Sequence, residues 1–409
     1  MKYVLGAQCV KCGREYDAVP DLTTCSCGGI LDIVYDYAAI RRDVSPRDLE
    51  DCRDYSMWRY RPFLPVEADS APTPLRVGWS PLYPAPRLAR ALGLKALYLK
   101  DDGQNPTASL KDRASALAVV KAREAGADTI ACSSTGNAAS SLAGNAAAAG
   151  LSTYIFVPSR APKGKVAQLR IFGSTVISVD GSYEDTFALS KAAIDRWGWY
   201  NRNAAVNPYL SEGKKTVTLE ILEQLGWRTP DYIALSVGDG CTIAGAWKGL
   251  KDLYAAGFIE RLPRLISVQA QGCCPLNRAI QTGTPWTPMA ENTLADSIAV
   301  GVPRNPDKAL NAIRESDGIA VNVSDDEILA AMRLLGRTQG VFGEPAGVTG
   351  TAGVKKALEL GLISPDSTVV SIVTGNGLKD VQNGIRAAGE PMLVRPELDA
   401  LLDAFASHG

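Results

Sequence analysis

Histidine is almost absent from this sequence: the single copy, His408, stands among the last residues of a 409-residue chain. A Ser-His-Asp or Cys-His relay and a His-ligated metal centre are therefore excluded unless another chain supplies the imidazole. In an enzyme of this composition, lysine, carboxylates, hydroxyls or a cofactor must move the protons. Long apolar runs are also lacking, so no segment approaches membrane-spanning length. The start, Met1 to Gln8, is too short to read as a secretory signal. Nor does charge of one sign prevail: 43 Lys and Arg against 44 Asp and Glu leave a formal charge of −1, with no pull toward nucleic acid or anionic membrane. A cytoplasmic protein with a small-molecule partner is the expectation.

What is present is ordinary for a globular chain, 46% hydrophobic and 21% charged residues over a length that suits two or more domains. Of nine cysteines, five (Cys52, Cys132, Cys241, Cys273, Cys274) are scattered as small core residues would be. The other four cluster within residues 1–35 as Cys9-Val10-Lys11-Cys12-Gly13 and Cys25-Ser26-Cys27-Gly28. Two close pairs followed by glycine resemble zinc-ribbon knuckles, in which four thiolates close a structural tetrahedral site. Cys9, Cys12, Cys25 and Cys27 are thus metal-ligand candidates, with thiols that hold no metal as the alternative. Residues 36–75, with Pro62, Pro65, Pro72 and Pro74, read as an extended arm on the main body.

From Pro81 onward, near-continuous apolar runs such as Tyr232–Val237 and Thr368–Val373 alternate with helical patterns, among them one that opens on the capping box Ser324-Asp325-Asp326-Glu327. This is an α/β pattern with largely parallel sheet covered on both faces. The tail places Leu398, Leu401, Leu402 and Phe405 on one helical face, expected to dock.

Lys111 lies at a strand–loop–helix junction, Asn105-Pro106-Thr107-Ala108-Ser109-Leu110-Lys111-Asp112-Arg113. Burial and a helix N-terminus both lower an ammonium pKa there, which suits a lysine that bonds covalently to a carbonyl. Three further loops stand at strand ends. Ser133-Ser134-Thr135-Gly136-Asn137 offers hydroxyls, an amide and a helix N-terminus to an anion. Gly238-Asp239-Gly240-Cys241-Thr242 exposes consecutive amides fit for a phosphate monoester, without a dinucleotide fingerprint or a Walker lysine. Thr374-Gly375-Asn376-Gly377 presents a hydroxyl. Loops of this kind at the carboxyl ends of strands mark one crevice.

Together with Asn105-Pro106-Thr107, Glu212-Gly213-Lys214-Lys215-Thr216, Gly343-Glu344-Pro345-Ala346 and Gly377-Leu378-Lys379-Asp380, these residues resemble the fold-type II pyridoxal-phosphate enzymes, the tryptophan synthase β-like family, and within it the threonine synthases. The resemblance covers almost the whole chain. It implies two open, twisted, mostly parallel sheets flanked by helices. The chain would divide into the Cys-rich module at 1–35, an arm and first part of the large domain at 36–110, a smaller α/β domain at 111–210, and the rest of the large domain at 211–409. It implies pyridoxal 5′-phosphate bonded to Lys111, the cofactor's phosphate on Gly238, Asp239, Gly240, Cys241 and Thr242, its ring oxygen on Asn137 and its ring nitrogen at Thr374. Substrate would meet Ser109, Ser134 and Thr135, with Lys165, Arg202, Asn207 and Lys215 as candidates for a substrate phosphate. The implied reaction converts O-phosphohomoserine and water to threonine and phosphate in a homodimer, with zinc in the Cys module. Trp79, Ala108, Leu110 and Asn376 depart from the family's usual Asn, Gly, Phe and His. The alternative is therefore a sister β-replacement enzyme or dehydratase acting on an amino acid such as O-phosphoserine.

Overall fold

The computed structural model describes residues 1–161 and 163–406; His408 lies outside the described residues. The Cys-rich start forms a small antiparallel sheet of β1 (Val4–Cys9), β2 (Glu15–Tyr16) and β3 (Leu31–Tyr35), in the order β2-β1-β3. Strands β4 (Leu82–Pro84) and β5 (Ala96–Asp101) begin a large sheet. The chain then leaves to build a second, fully parallel sheet from β6 (Thr129–Ser133), β7 (Ser152–Pro158), β8 (Thr175–Val179) and β9 (Tyr200–Asn201), in the order β8-β7-β6-β9. It returns with β10 (Tyr232–Ser236), β11 (Arg264–Ala270), β12 (Ile319–Val323) and β13 (Thr368–Val373). These complete a six-stranded sheet of order β12-β11-β10-β13-β5-β4, parallel except for the edge strand β4.

The two apolar runs named above, Tyr232–Val237 and Thr368–Val373, supply β10 and β13. The short edge strand β12 was not expected; its pattern alternates buried and half-buried positions, as edge placement allows. The helices that matter for function are α1 (Lys111–Glu124), α2 (Asn137–Ala149), α3 (Tyr209–Gln224), α4 (Cys241–Ala255), α5 (Pro306–Glu315), α6 (Pro345–Glu359) and α7 (Leu398–Ala406). Helix α6 has no apolar stripe in its sequence because glycines form its contact face. A Cβ at Gly353 would lie 2.2 Å from Val268 Cγ2, so only glycine lets α6 lie this close to the sheet.

Two expectations need correction. Residues 36–75 are not simply extended: they form helices Tyr37–Asp43 and Pro46–Glu50 and a 3-10 turn Met57–Phe63. Trp58, Arg59 and Tyr60 are buried there, and Arg59 Nε donates to Glu223 Oε2 at 3.1 Å. The tail helix α7 does not dock on its own chain, since Leu398, Leu402 and Phe405 are 71%, 56% and 58% exposed.

Candidate active site

Lys111 is the first residue of α1, half-buried, and follows directly on Leu110, whose N–H is held by the Thr374 carbonyl at 2.9 Å. Its two successors fix it in place. The Asp112 carboxylate accepts from Thr107 N and Thr107 Oγ1, both at 2.8 Å, and from Asn145 Nδ2 at 2.8 Å. Arg113 is fully buried and donates to Asp102 (Nε to Oδ2, 2.7 Å) and Glu220 (Nη2 to Oε2, 2.8 Å). Lys100 joins the same cluster at 2.7 Å from Glu220. Two cations and two carboxylates with no solvent around them make a rigid base for the turn that presents Lys111. Burial pulls the Lys111 ammonium below its ordinary value, with Arg202 adding to the effect and Cys241, Asp239 and Glu344 opposing it.

The glycine loop lies at the N-terminus of α4. Gly240 takes a left-handed conformation at φ 82°, and no side chain caps the helix, which leaves its first amides available to an anion. Close packing from outside makes both glycines necessary. A Cβ on Gly238 would stand 2.8 Å from Ile298 Cα, and one on Gly240 would stand 2.6 Å from Asn305 O. The Asp239 side chain steadies the loop by accepting from Arg304 N at 3.1 Å. Cys241 is buried and Thr242 half-buried.

Asn137 opens α2, is buried, and donates from Nδ2 to Glu344 Oε1 at 2.7 Å. Ser134 accepts from Gly136 N, and Thr135 and Thr374 are half-buried. The Ser109 hydroxyl is fully buried with no partner among the described residues, two residues from Lys111. An orphaned hydroxyl, a cup of uncapped amides and an amine with lowered pKa fit a carbonyl compound that carries a phosphate.

Not every expected residue joins the site. Lys215 is committed to Glu212 (2.5 Å) and Asp252 (2.6 Å) under the Tyr35 ring, so it is a structural cation and not a substrate ligand. Asn207 spends its amide on Tyr200 Oη and the Asn201 carbonyl, and its Oδ1 accepts from Tyr209 N; it shapes the entry to α3. Lys165 is paired with Asp296 and stands in the field of Glu344. Arg202 is buried and donates Nε and Nη2 to Ser115 Oγ at 3.2 and 3.0 Å. Three site residues had no assigned role in the sequence. Glu344 is held above its ordinary pKa by burial, Lys379 donates to Ser140 Oγ at 3.0 Å, and Lys214 is buried beside Lys111 and Cys241. For Lys214 and Lys215 the helical period was the available signal, since neighbours on a helix point about 100° apart.

The four departures from the family pattern have structural explanations. The Trp79 ring lies 4.0 Å from the Arg59 guanidinium carbon, while the backbone N–H of Trp79 donates to Glu220 Oε1. Ala108 keeps a glycine-like φ of 65°, and its carbonyl accepts from Asn376 N at 3.0 Å. Leu110 is core, and the Asn376 side chain accepts from Leu378 N.

A family model described as "Pyridoxal-phosphate dependent enzyme" matches residues 74–375. The chain is 41% identical to a threonine synthase of Methanosarcina acetivorans over 97% of its own length and 98% of the relative's. It is 39% identical to the one of Methanocaldococcus jannaschii over 96% and 98%. In fold it resembles diaminopropionate ammonia lyase from Escherichia coli, with a TM-score of 0.66 at 19% identity, covering 84% of this chain and 92% of that one. The chain therefore belongs to the pyridoxal-phosphate-dependent enzymes, and within them to the threonine synthase family.

Proposed function

We propose that this protein converts O-phosphohomoserine and water to threonine and inorganic phosphate with pyridoxal 5′-phosphate. Lys111 stands in the field of Asp239 and Cys241 of the glycine cup and of Glu344, which accepts from Asn137; this carries the reading, in a chain alike to threonine synthases along nearly its whole length. The cofactor, when bound, supplies an electron sink for the carbons beside the substrate's amino group. Gly238 to Thr242 would hold its phosphate, Asn137 its ring oxygen and Thr374 its ring nitrogen. A neutral hydroxyl at that nitrogen does not keep it protonated, which favours elimination and replacement over transamination.

In the net reaction the Cγ–O bond breaks and phosphate leaves with the bonding pair. One Cβ–H bond breaks, a proton is delivered to Cγ, and water adds its hydroxyl at Cβ while its other proton passes to the released phosphate. Lys111 is the group proposed to take the proton from Cα, because burial lowers its ammonium pKa and so favours the free amine a base needs. Ser109, Ser134 and Thr135 are proposed for the substrate carboxylate, Arg202 and Lys165 for its phosphate.

Phosphate release from O-phosphohomoserine and O-phosphoserine, and ammonia release from threonine, measured side by side, test the assignment. Turnover of the first is expected to exceed the others. Lys111→Ala should abolish it and also remove the shifted absorbance band of the lysine-bound cofactor. Turnover of O-phosphoserine alone would refute the reading in favour of a sister enzyme.

We also propose a structural zinc on Cys9, Cys12, Cys25 and Cys27, whose sulfurs lie within 4.8 Å of one another. Three of the separations are 3.6, 3.6 and 3.5 Å, and a tetrahedral thiolate cage with Zn–S near 2.3 Å has edges of about 3.8 Å. Segment 111–210, which contains the small parallel sheet, is proposed as the smaller domain. The exposed apolar face of α7 supports a homodimer, and the biosynthetic role a cytoplasmic location.

A further inference from the structure

Nine Lys and Arg side chains are buried among the described residues: Arg59, Lys100, Arg113, Lys121, Arg202, Lys214, Lys215, Lys248 and Lys308. Seven of them are ion-paired to a carboxylate, as burial of a charge demands. The two exceptions are Arg202, which donates to the neutral Ser115 hydroxyl, and Lys214, 2% exposed and with no hydrogen-bond or ion-pair partner among the described residues. These two are not scattered. Arg202 acts on both Lys214 and Lys111, Lys111 acts on Lys214, and Arg202 and Lys214 both stand in the field of Cys241, the first residue of the helix that opens from the glycine cup.

The backbone is built to put Lys214 there. It is on α3 between two tight helix seams. On one side a Cβ at Gly213 would lie 2.3 Å from Arg113 O of α1. On the other, a Cβ at Gly245 of α4 would come within 3.0 Å of Lys214 Cβ. Glycine at both positions lets the helix that carries Lys111 and the helix that caps the cup close on α3 and enclose the ammonium. Asp239, a carboxylate acting on Lys214, stays beyond ion-pair distance and accepts from Arg304 N. Burial and the neighbouring cations bring Lys214 down to about 8.

We propose that Lys214, with Arg202, is the cationic wall of a phosphate-monoester site beside the glycine cup, and that the two buried charges left without carboxylates are neutralised by a bound dianion. The inference rests on the proposed function for the identity of that dianion. Two molecules in the reaction carry one, the cofactor and the substrate. A dianion supplies the two negative charges that the pair lacks, and charge-assisted contacts at this depth are strong because water does not screen them. The wall also explains why Lys214 is tolerated at all: without ligand it is a cost in stability, and ligand binding recovers it.

The test uses the apo full-length chain with Lys214→Met and Lys214→Arg, probed first with inorganic phosphate. Lys214→Met removes a buried charge that has no partner, so its thermal midpoint without ligand should equal or exceed that of the wild type, and the rise produced by phosphate should vanish. Lys214→Arg should keep that rise. A cation needed only for packing would behave oppositely, with Lys214→Met less stable and its response to phosphate unchanged, and that outcome overturns the proposal. If the cofactor's phosphate is the occupant, Lys214→Met weakens pyridoxal 5′-phosphate binding about tenfold or more and leaves the affinity for pyridoxal, which has no phosphate, unaltered. If the substrate's phosphate is the occupant, cofactor affinity holds and the KM for O-phosphohomoserine rises by about the same factor with kcat little changed. Both affinities within twofold of wild type would refute the site. Phosphate binding is read without turnover, so a wild type that binds phosphate through Lys214 yet makes no threonine overturns the assigned reaction and leaves this site standing.

Discussion

Lys214 and Lys215 are neighbours of identical chemistry with opposite fates. The first is left beside the cup without a carboxylate; the second is locked between Glu212 and Asp252 on the far face of the same helix. Truncating this buried cation leaves Glu212 with only the Tyr35 hydroxyl and Asp252 without one of its two lysines, so Lys215→Met should cost about 3–5 kcal/mol of stability. Chemical denaturation of the holoenzyme measures this, and the KM of whatever remains folded should be unaltered. The sequence presented both lysines in one motif, and the helical period says only that they point apart; which of them faces the cup depends on the neighbouring helices. Ala108 teaches the converse. Its left-handed φ of 65° is the conformation the family's glycine would take, so a departure in side chain preserves the backbone that the site needs.

At the level of elements, the junction into α1 depends on the cluster of Lys100, Asp102, Arg113 and Glu220. Burial alone would raise the Glu220 carboxyl, but Arg113 and Lys100 outweigh it and hold the group at about 2. In the unfolded chain it titrates near ~4.3. A carboxyl with a depressed folded pKa lends stability that is fully present above the unfolded value and is lost as pH falls through the folded one. The window is therefore about pH 4.3 down to about 2, and the amount on the order of 3 kcal/mol. Urea midpoints followed across that window should fall steeply for the wild type, and Glu220→Gln should flatten the curve from a lower starting stability. The individual segments of this cluster were legible as a strand end and a helix start. That Asp102, Lys100 and Glu220 meet Arg113 was not, because more than a hundred residues separate Arg113 from Glu220 along the chain.

Across the whole molecule, the Cys module is fastened to the body through polar anchors that its own sequence does not announce. Asp32 of β3 pairs with Lys308 of α5, and Tyr35 donates to Glu212 of α3 at 2.5 Å. Helix α5 starts at Asn305, whose N–H donates to the Asp239 carbonyl of the cup at 2.9 Å. The module is thus joined to the cofactor cup by one short helix. Metal analysis should find one zinc per chain in wild type and none in Cys9→Ser. Loss of the metal should lower cofactor affinity through the loosened α5, while equal zinc in both proteins would refute the site.

The sequence by itself narrowed the chemistry that is possible here: with its one histidine next to last, the chain is left with lysine, carboxylates, hydroxyls or a cofactor, and its junction lysine and three anion-ready loops resemble those of pyridoxal-phosphate enzymes. It also determined most strands and the starts of the capped helices, because those depend on local periodicity and on residues three apart. Only the tertiary structure decided which cations are paired and which are left for a ligand, since Coulomb energy at depth depends on contacts between segments far apart in the chain. Lys111 was readable from its neighbours in sequence; Lys214 became visible only once α1, α3 and α4 were packed around it.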